Sequence, residues 1–423
     1  MGRMLSVLLF VILFSVSLFA QSEVANYAPK PKYYLWEFMG NIEDSLDAIR
    51  DSVTSEIRRV QRERDEFADS TRKELQFGLE GIERPYSPDE FESVFYFTGA
   101  NQQGTGTCWC FSMTSLIESE IYRLSDREIK LSEMFTVYHE YLEKCRYFVQ
   151  TRGYYHFSEG SEGNAVLRIM KKYGAMPLDI YDGLFGTDSI HSHRSLSHEV
   201  RAYLDLVETN DYWDEEYVIE HVKLILDKHI GTPPESFEYE GMTYTPVEFL
   251  DDVLKVDLDD YVELQSTISE PFYQQTYYDA PDNWWYDSTY YNVPLEDWYN
   301  AIEGAITNGY SLTIGGDVTG PEWFGPEDVA LIPSFDVPRS HINQSSRELR
   351  IYEETTTDDH GVHLVGYKKI GDDMWFLIKD SSSGARMGSQ WGYMFMREDY
   401  PRLKMLTFAV HRDAVKDILG KCK

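Results

Sequence analysis

Only four of the 423 residues are cysteine: Cys108, Cys110, Cys145 and Cys422. They are too few and too irregularly spaced to form a stapling disulfide framework, and a chain of this length needs none. With one thiol held reactive, at most one bridge remains, such as Cys145 to Cys422. Positive charge is also scarce. Lys and Arg number 39 against 72 Asp and Glu, a net charge of −33. Nucleic-acid phosphates and anionic membrane surfaces would be repelled, so neither is an expected partner. Beyond Ala20 no apolar run approaches membrane-spanning length. Hydrophobic residues, by contrast, make up 42% of the chain and aromatic residues 15%, the composition of a globular protein rather than a disordered one.

The N-terminus pairs one basic residue, Arg3, with an apolar run from Leu5 to Ala20. This reads as a signal peptide, residues 1–20, cut after Ala20. No cysteine follows the cut to carry a lipid, so no membrane anchor is expected, and the mature protein should be soluble and secreted or periplasmic. Residues 21–85 form an extension. Within it Leu46, Ile49, Val53, Ile57, Val60 and Phe67 recur at three and four residues, which predicts an amphipathic helix over 37–79. Such a helix either lies on the main domain or acts as a removable inhibitory pro-segment. "ERPYSPDEF" breaks the pattern, and the globular body runs over 86–423.

The body is helical first and strand-rich later. Helices are predicted over 112–124, over 132–148, and from Asn164 to a stop at Gly174 and Pro177. Residues 182–282 are acidic and aromatic and read as a largely helical insertion. "HSHRSLSH", with His191, His193 and His198, has no further ligand at metal-binding spacing and reads as a surface loop. The aromatic cluster at 282–299 reads as core or interface rather than a sugar platform. "YSLTIGGDV", "GVHLVGYKKI", "MWFLIKD" and "GYMFMRED" alternate as strands of an antiparallel sheet. The fold class is α+β.

Chemistry gathers at "NQQGTGTCWCFS". Cys108 stands where a Gly-punctuated loop gives way to a helix, and a helix N-terminus lowers a thiol's pKa. Cys110, about 200° further round the helix, belongs on another face and packs as a small hydrophobe. C-x-C without a second pair is neither a zinc nor a redox spacing.

These residues resemble the active-site segment of the papain-like cysteine peptidases, in which Gln stands six residues before the nucleophile and Trp follows it. The resemblance implies Cys108 as nucleophile and Gln102 as oxyanion-hole side chain. "DDHGVHLVGYKK" resembles the family's histidine strand, whose imidazole lies six residues before Gly-Tyr; that register selects His360, with His363 on an apolar position. "KDSSSG" occupies the place of the family's Lys-Asn-Ser-Trp, so the third catalytic position is Asp380. Thr105 in place of a structural cysteine, and 360 − 108 = 252 residues between Cys108 and His360, resemble the bleomycin hydrolase and aminopeptidase C branch.

What the resemblance implies is a peptidase acting on peptide or protein substrates through a thioester, with no metal and no organic cofactor. Three features depart from the pattern. Asp380 replaces an Asn and the shielding Trp is missing from "DSSSG". The sequence closes on "HRDAVKDILGKCK", where that branch carries a longer tail into the cleft, so aminopeptidase and endopeptidase action both stay open. An exported acidic protein also differs from the branch's cytosolic members. Two other readings compete: a papain-fold scaffold without activity, and a transglutaminase-like acyltransferase. Against the first stand intact Cys108, Gln102 and His360, and against the second the Gly-Tyr register after His360. Oligomeric state has no signature in the sequence.

Overall fold

The computed structural model describes residue 29 and residues 34–73, 75–186 and 189–423. The expected signal peptide lies outside the described residues. The chain divides into two units, Met1–Glu74 and Leu75–Lys423.

In the first unit the charged amphipathic repeat forms one long helix, α1 (Tyr34–Thr71), ending before the predicted stop near residue 79. Pairs one turn apart, Arg50 with Asp47 at 2.8 Å and Arg59 with Glu56 at 2.6 Å, brace it.

The second unit opens with the short strand β1 (Glu92–Ser93) and enters its helical part at α2 (Cys108–Ser125). Almost every residue of α2 from Trp109 to Ile121 is buried, so this helix is the spine of the core. α3 (Glu133–Gln150) begins where Ser132 Oγ accepts from the Phe135 N–H at 3.0 Å. α4 (Asn164–Tyr173) stops at Gly174, whose φ of +82° suits a residue without a side chain.

The expectation of a largely helical region over 182–282 holds only in part. α5 (Arg194–Thr209) and α6 (Glu215–Ile230) are helices, but a hairpin follows, β2 (Phe237–Tyr239) with β3 (Met242–Tyr244). Then come β4 (Tyr261–Gln265) and β5 (Gln274–Thr276), both members of the main sheet.

That sheet also takes in β6 (Tyr290–Asn292), β7 (Leu312–Gly316), β8 (Trp323–Phe324), β9 (Val329–Ala330), β10 (His360–Ile370), β11 (Asp373–Lys379), β12 (Tyr393–Arg397) and β13 (Met405–His411). Its order is β5-β6-β4-β13-β7-β10-β11-β12-β9-β8, with β1 beside β10. β7, β10, β11 and β12 fall on the four segments whose alternation predicts strands. The pairing is mainly antiparallel, yet β4 with β6 and β9 with β12 run parallel, so the sheet is mixed. The fold is α+β, with α2 packed on β7 and β10.

Two details change the sequence expectations. All four cysteines are free thiols; Cys145 is buried in the helical core while Cys422 packs against the sheet-side core, so the pair forms no bridge. His193 is no surface residue: it is buried, and its Nδ1 meets Tyr141 Oη at 3.0 Å. A polar-looking loop was drawn inward because Tyr141, itself buried on α3, needs a hydrogen-bond partner. The aromatic cluster is core, with Trp284, Trp298 and Tyr299 all buried.

Candidate active site

Cys108 is the first residue of α2. Thr107 at the N-cap makes no side-chain cap, its Oγ1 being bonded to Thr105 Oγ1 at 2.6 Å instead. The Cys110 and Phe111 N–H groups donate to the Thr107 carbonyl, while the Cys108 and Trp109 N–H groups keep their donor capacity, and the positive end of the helix dipole lies at the thiol. Glu159 anchors this corner, accepting from the Gly106 N–H at 2.8 Å and, through its carbonyl, from Trp109 Nε1 at 3.1 Å. Cys110, fully buried, donates its S–H to the Glu133 carbonyl at 3.3 Å, and burial pushes its thiol well above the ordinary range. The two cysteines thus have different environments, as their angular separation on a helix requires.

His360 opens β10, and the strand approaches α2 closely because the next residue is Gly361. A side-chain carbon there would lie 3.0 Å from Ser112 Oγ and 3.5 Å from Trp109 Cα. His360 Nε2 lies 2.8 Å from Asp380 Oδ1, which leaves Nδ1 for the Cys108 thiol, with which the ring also interacts. Burial opposes the imidazolium, but Asp380 and Cys108 outweigh it and hold the His360 pKa well above its usual value. Burial likewise opposes the Asp380 carboxylate. His360 and hydrogen bonds from Ser382 prevail, and the Asp380 pKa lies below the ordinary carboxyl value. Those bonds come from the Ser382 N–H to Oδ1 at 2.7 Å and from Ser382 Oγ to Oδ2 at 2.8 Å.

His363 is directed elsewhere. Its Nδ1 meets Ser115 Oγ at 2.8 Å inside the core, and burial together with Lys379 depresses its pKa well below normal.

Gln102 is held at both ends of its amide. Ser381 Oγ donates to Oε1 at 2.7 Å, and Nε2 donates one hydrogen to the Thr105 carbonyl at 2.8 Å. The backbone repeats the link, the Gln102 N–H donating to the Ser381 carbonyl at 3.0 Å. The second Nε2 hydrogen has no partner among the described residues, and Gln102 lines the cleft. Gln102, Cys108 and His360 line a single cleft of about 210 Å³, with Asp380 behind the imidazole.

Ser381 and Ser382 are the residues that reading the sequence overlooked. "DSSSG" registers there only as a segment that has lost a Trp, yet its second and third residues fix Gln102 and Asp380. An Asp two residues before a Ser is an Asx-turn pattern, the one local signal that could have found Ser382.

A thiol at a helix N-terminus, an imidazole on the facing strand and a carboxylate behind it make the layout of a papain-like cysteine peptidase. Residues 156–421 match the model of the Peptidase C1-like family, and the chain belongs to that family, in the bleomycin hydrolase branch. The matched stretch contains His360 and Asp380, whereas Gln102 and Cys108 precede it.

Among curated proteins the chain is similar to aminopeptidase G of Lactobacillus delbrueckii subsp. lactis, 23% identical over 43% of this chain and 50% of that protein. It is also similar to the mitochondrial cysteine proteinase 1 of Saccharomyces cerevisiae, 27% identical over 20% of this chain and 21% of that one. The chain therefore spans about half the length, or less, of these curated relatives. Among solved structures it resembles PepW of Lactobacillus rhamnosis HN001, with a TM-score of 0.62, 16% identity, and 79% of this chain covering 85% of that one. At that identity the likeness speaks to fold alone.

Proposed function

We propose that this protein is a cysteine peptidase that hydrolyses peptide bonds through a thioester on Cys108. The observation that carries the reading is the alignment of Cys108, His360 and Asp380 across one cleft, Asp380 lying 2.8 Å behind the imidazole.

In this reading the thiolate of Cys108 attacks the peptide carbonyl. The oxyanion is met by the free Nε2–H of Gln102 and by the Cys108 N–H at the end of α2, both fixed before substrate arrives. His360 then gives its proton to the departing amine, and the thioester forms as the C–N bond breaks. Water, deprotonated by His360, attacks the thioester; the C–S bond breaks, the acid leaves, and the thiol and imidazole recover their starting state. Of the reacting groups Asp380 meets only His360, its other carboxylate contacts being with Ser382, so it is a positioning residue that also favours the imidazolium.

The name of the Lactobacillus relative, aminopeptidase G, supports removal of an N-terminal residue over cutting within a chain. The apolar run before Ala20 supports export, with cleavage after that residue.

Peptide hydrolysis and labelling by an epoxide thiol-protease inhibitor test the reading together. Mass spectrometry should find the label on Cys108 alone. A protein that neither cleaves a peptide library nor takes up label at Cys108 would be a scaffold. N-terminal sequencing of the exported protein should begin at Gln21; a mature N-terminus at Met1 would remove the export proposal.

A further inference from the structure

The cleft that holds Cys108 continues into a recess walled by acids. Glu162 comes from the loop before α4, Glu263 from β4, Asp282 from the loop before β6, and Asp358 and Asp359 from the residues leading into β10. No Lys or Arg lines this cleft, where the cation present is the His360 imidazolium. Among the described residues none of the five forms an ion pair with Lys or Arg.

Glu263 is the informative one. It is 8% exposed, its Oε1 has no hydrogen-bond partner, and it borders the same cleft as the thiol. A buried carboxylate without a donor is costly and uncommon. Among the described residues the protein supplies donors to Asp358, whose Oδ2 accepts from Tyr278 Oη at 2.6 Å, and to Asp359, whose Oδ1 accepts from the Val318 N–H at 3.0 Å. Burial, with Asp287 and Asp358 adding to it, pushes Glu263 up to about 8; burial foremost raises Asp358 to about 7. Glu162 is raised too, by burial and then by Asp358 and Asp282. Like charges crowded away from water behave this way, and a positive charge placed among them acts against these shifts.

Resting on the peptidase reading above, we propose that this recess receives a positively charged organic group of the substrate, an ammonium or guanidinium, and that Glu263 and Glu162 are its specificity residues. The cation belongs to the substrate because the recess opens onto the thiol, so whatever fills it lies beside the carbonyl under attack. A bound metal fits less well, since among the described residues no three His, Cys, Asp or Glu side chains converge as ligands. The volume, about 210 Å³ for the whole cleft, exceeds the roughly 30 Å³ of one water and admits an aminoalkyl chain. The charge can come from a free α-amino group or from a Lys or Arg side chain.

Three peptidyl chloromethyl ketones that alkylate Cys108 separate these sources without needing turnover. One has a free N-terminus and a neutral side chain; one is N-acetylated with Lys beside the residue that bears the ketone; one is N-acetylated with norleucine there. At least one cationic reagent should react about tenfold faster than the neutral one, and the faster of the two names the source. Glu263→Gln, with Glu162→Gln as the second variant, should bring that ratio close to one. Equal rates for all three reagents on the wild type would overturn the inference. So would a cation preference that survives in both variants. Hydrolysis of the matching peptide amides, followed in parallel, reports on the peptidase reading separately, because loss of turnover leaves the alkylation ratios intact.

Discussion

Replacing Asp380 by asparagine changes one charge and almost no shape, so it isolates what the carboxylate adds to an imidazole already in position. Oδ1 accepts from His360 Nε2 at 2.8 Å and from the Ser382 N–H at 2.7 Å, while Oδ2 accepts from Ser382 Oγ at 2.8 Å. In Asp380→Asn the amide oxygen keeps both bonds at Oδ1. The new NH₂ donates to Ser382 Oγ, whose hydroxyl turns to accept, and no buried group loses its partner. What disappears is attraction between opposite charges, worth about 4 kcal/mol at roughly 4 Å and an effective dielectric near 20.

The sign follows from the direction of the His360 shift. Its folded pKa is raised, chiefly by Asp380 against the effect of burial, so the imidazolium persists as pH rises until that pKa is reached. Without the carboxylate it is lost at lower pH. Asp380→Asn should keep activity but bring down the alkaline limb of kcat/KM, and the limb for alkylation of Cys108 should move with it. Asp380→Ala is a different perturbation, since the imidazole N–H and the Ser382 N–H are then buried without an acceptor. Each orphan costs about 1–3 kcal/mol, and the rate should fall by roughly 10²–10⁴ through misorientation. The assay is kcat/KM on one peptide across pH for the three proteins, beside their thermal stability. Asp380 itself is depressed, so its contribution to stability is present above the ordinary carboxyl pKa and is lost as pH falls through its folded value. The stability gap between wild type and Asp380→Asn should therefore close in acid. Coincident pH–rate profiles for all three proteins would show that some other group orients His360.

Cys108→Ser should abolish hydrolysis and leave the melting temperature unchanged, whereas Cys110→Ser should act through stability; equal loss of rate in a folded Cys110→Ser protein would reverse their roles. His360→Ala should remove rapid alkylation of Cys108 at neutral pH. His363→Ala should keep it and instead cost about 1–3 kcal/mol of stability, since its bond to Ser115 is internal; the opposite outcome would shift the register by three residues. Gln102→Ala should lower kcat by about 10²–10³ with little change in KM. Ser381→Ala should follow it part of the way, because the amide loses the hydroxyl that fixes its orientation; wild-type kcat in both variants would remove Gln102 from the oxyanion site.

The reach of the sequence depended on how far apart in the chain the cooperating residues lie. Cys108 and the strand of His360 were readable because each carries its own local signature: a glycine loop before a helical period, and an alternating run ending in Gly-Tyr. The four strands from Leu312 to Arg397 were equally local. Asp380 was identified by register, but its support from Ser382 depends on a turn, and turn chemistry leaves only a faint trace in composition. His193 was misplaced because its burial comes from Tyr141, 52 residues earlier on another helix. β4 was hidden for a related reason. "YVELQ" is short, and what makes it a strand is pairing with β13, where Leu264 faces Phe408 from the far end of the chain. The acidic recess is the extreme case. Its carboxylates stand at 162, 263, 282, 358 and 359; the sheet brings Glu263 toward Asp358 and Asp359 by setting β4 beside β13 and β13 beside β7, which adjoins β10, and loops add Glu162 and Asp282. An overall charge of −33 says that acids are plentiful, not that five of them share a cavity with a thiol. Reaction chemistry in this fold is thus written in short segments, while the groups that choose a substrate are assembled by the sheet. It follows that substitutions in β4, remote in sequence from every catalytic segment, should alter which peptide is cut before they alter whether one is cut.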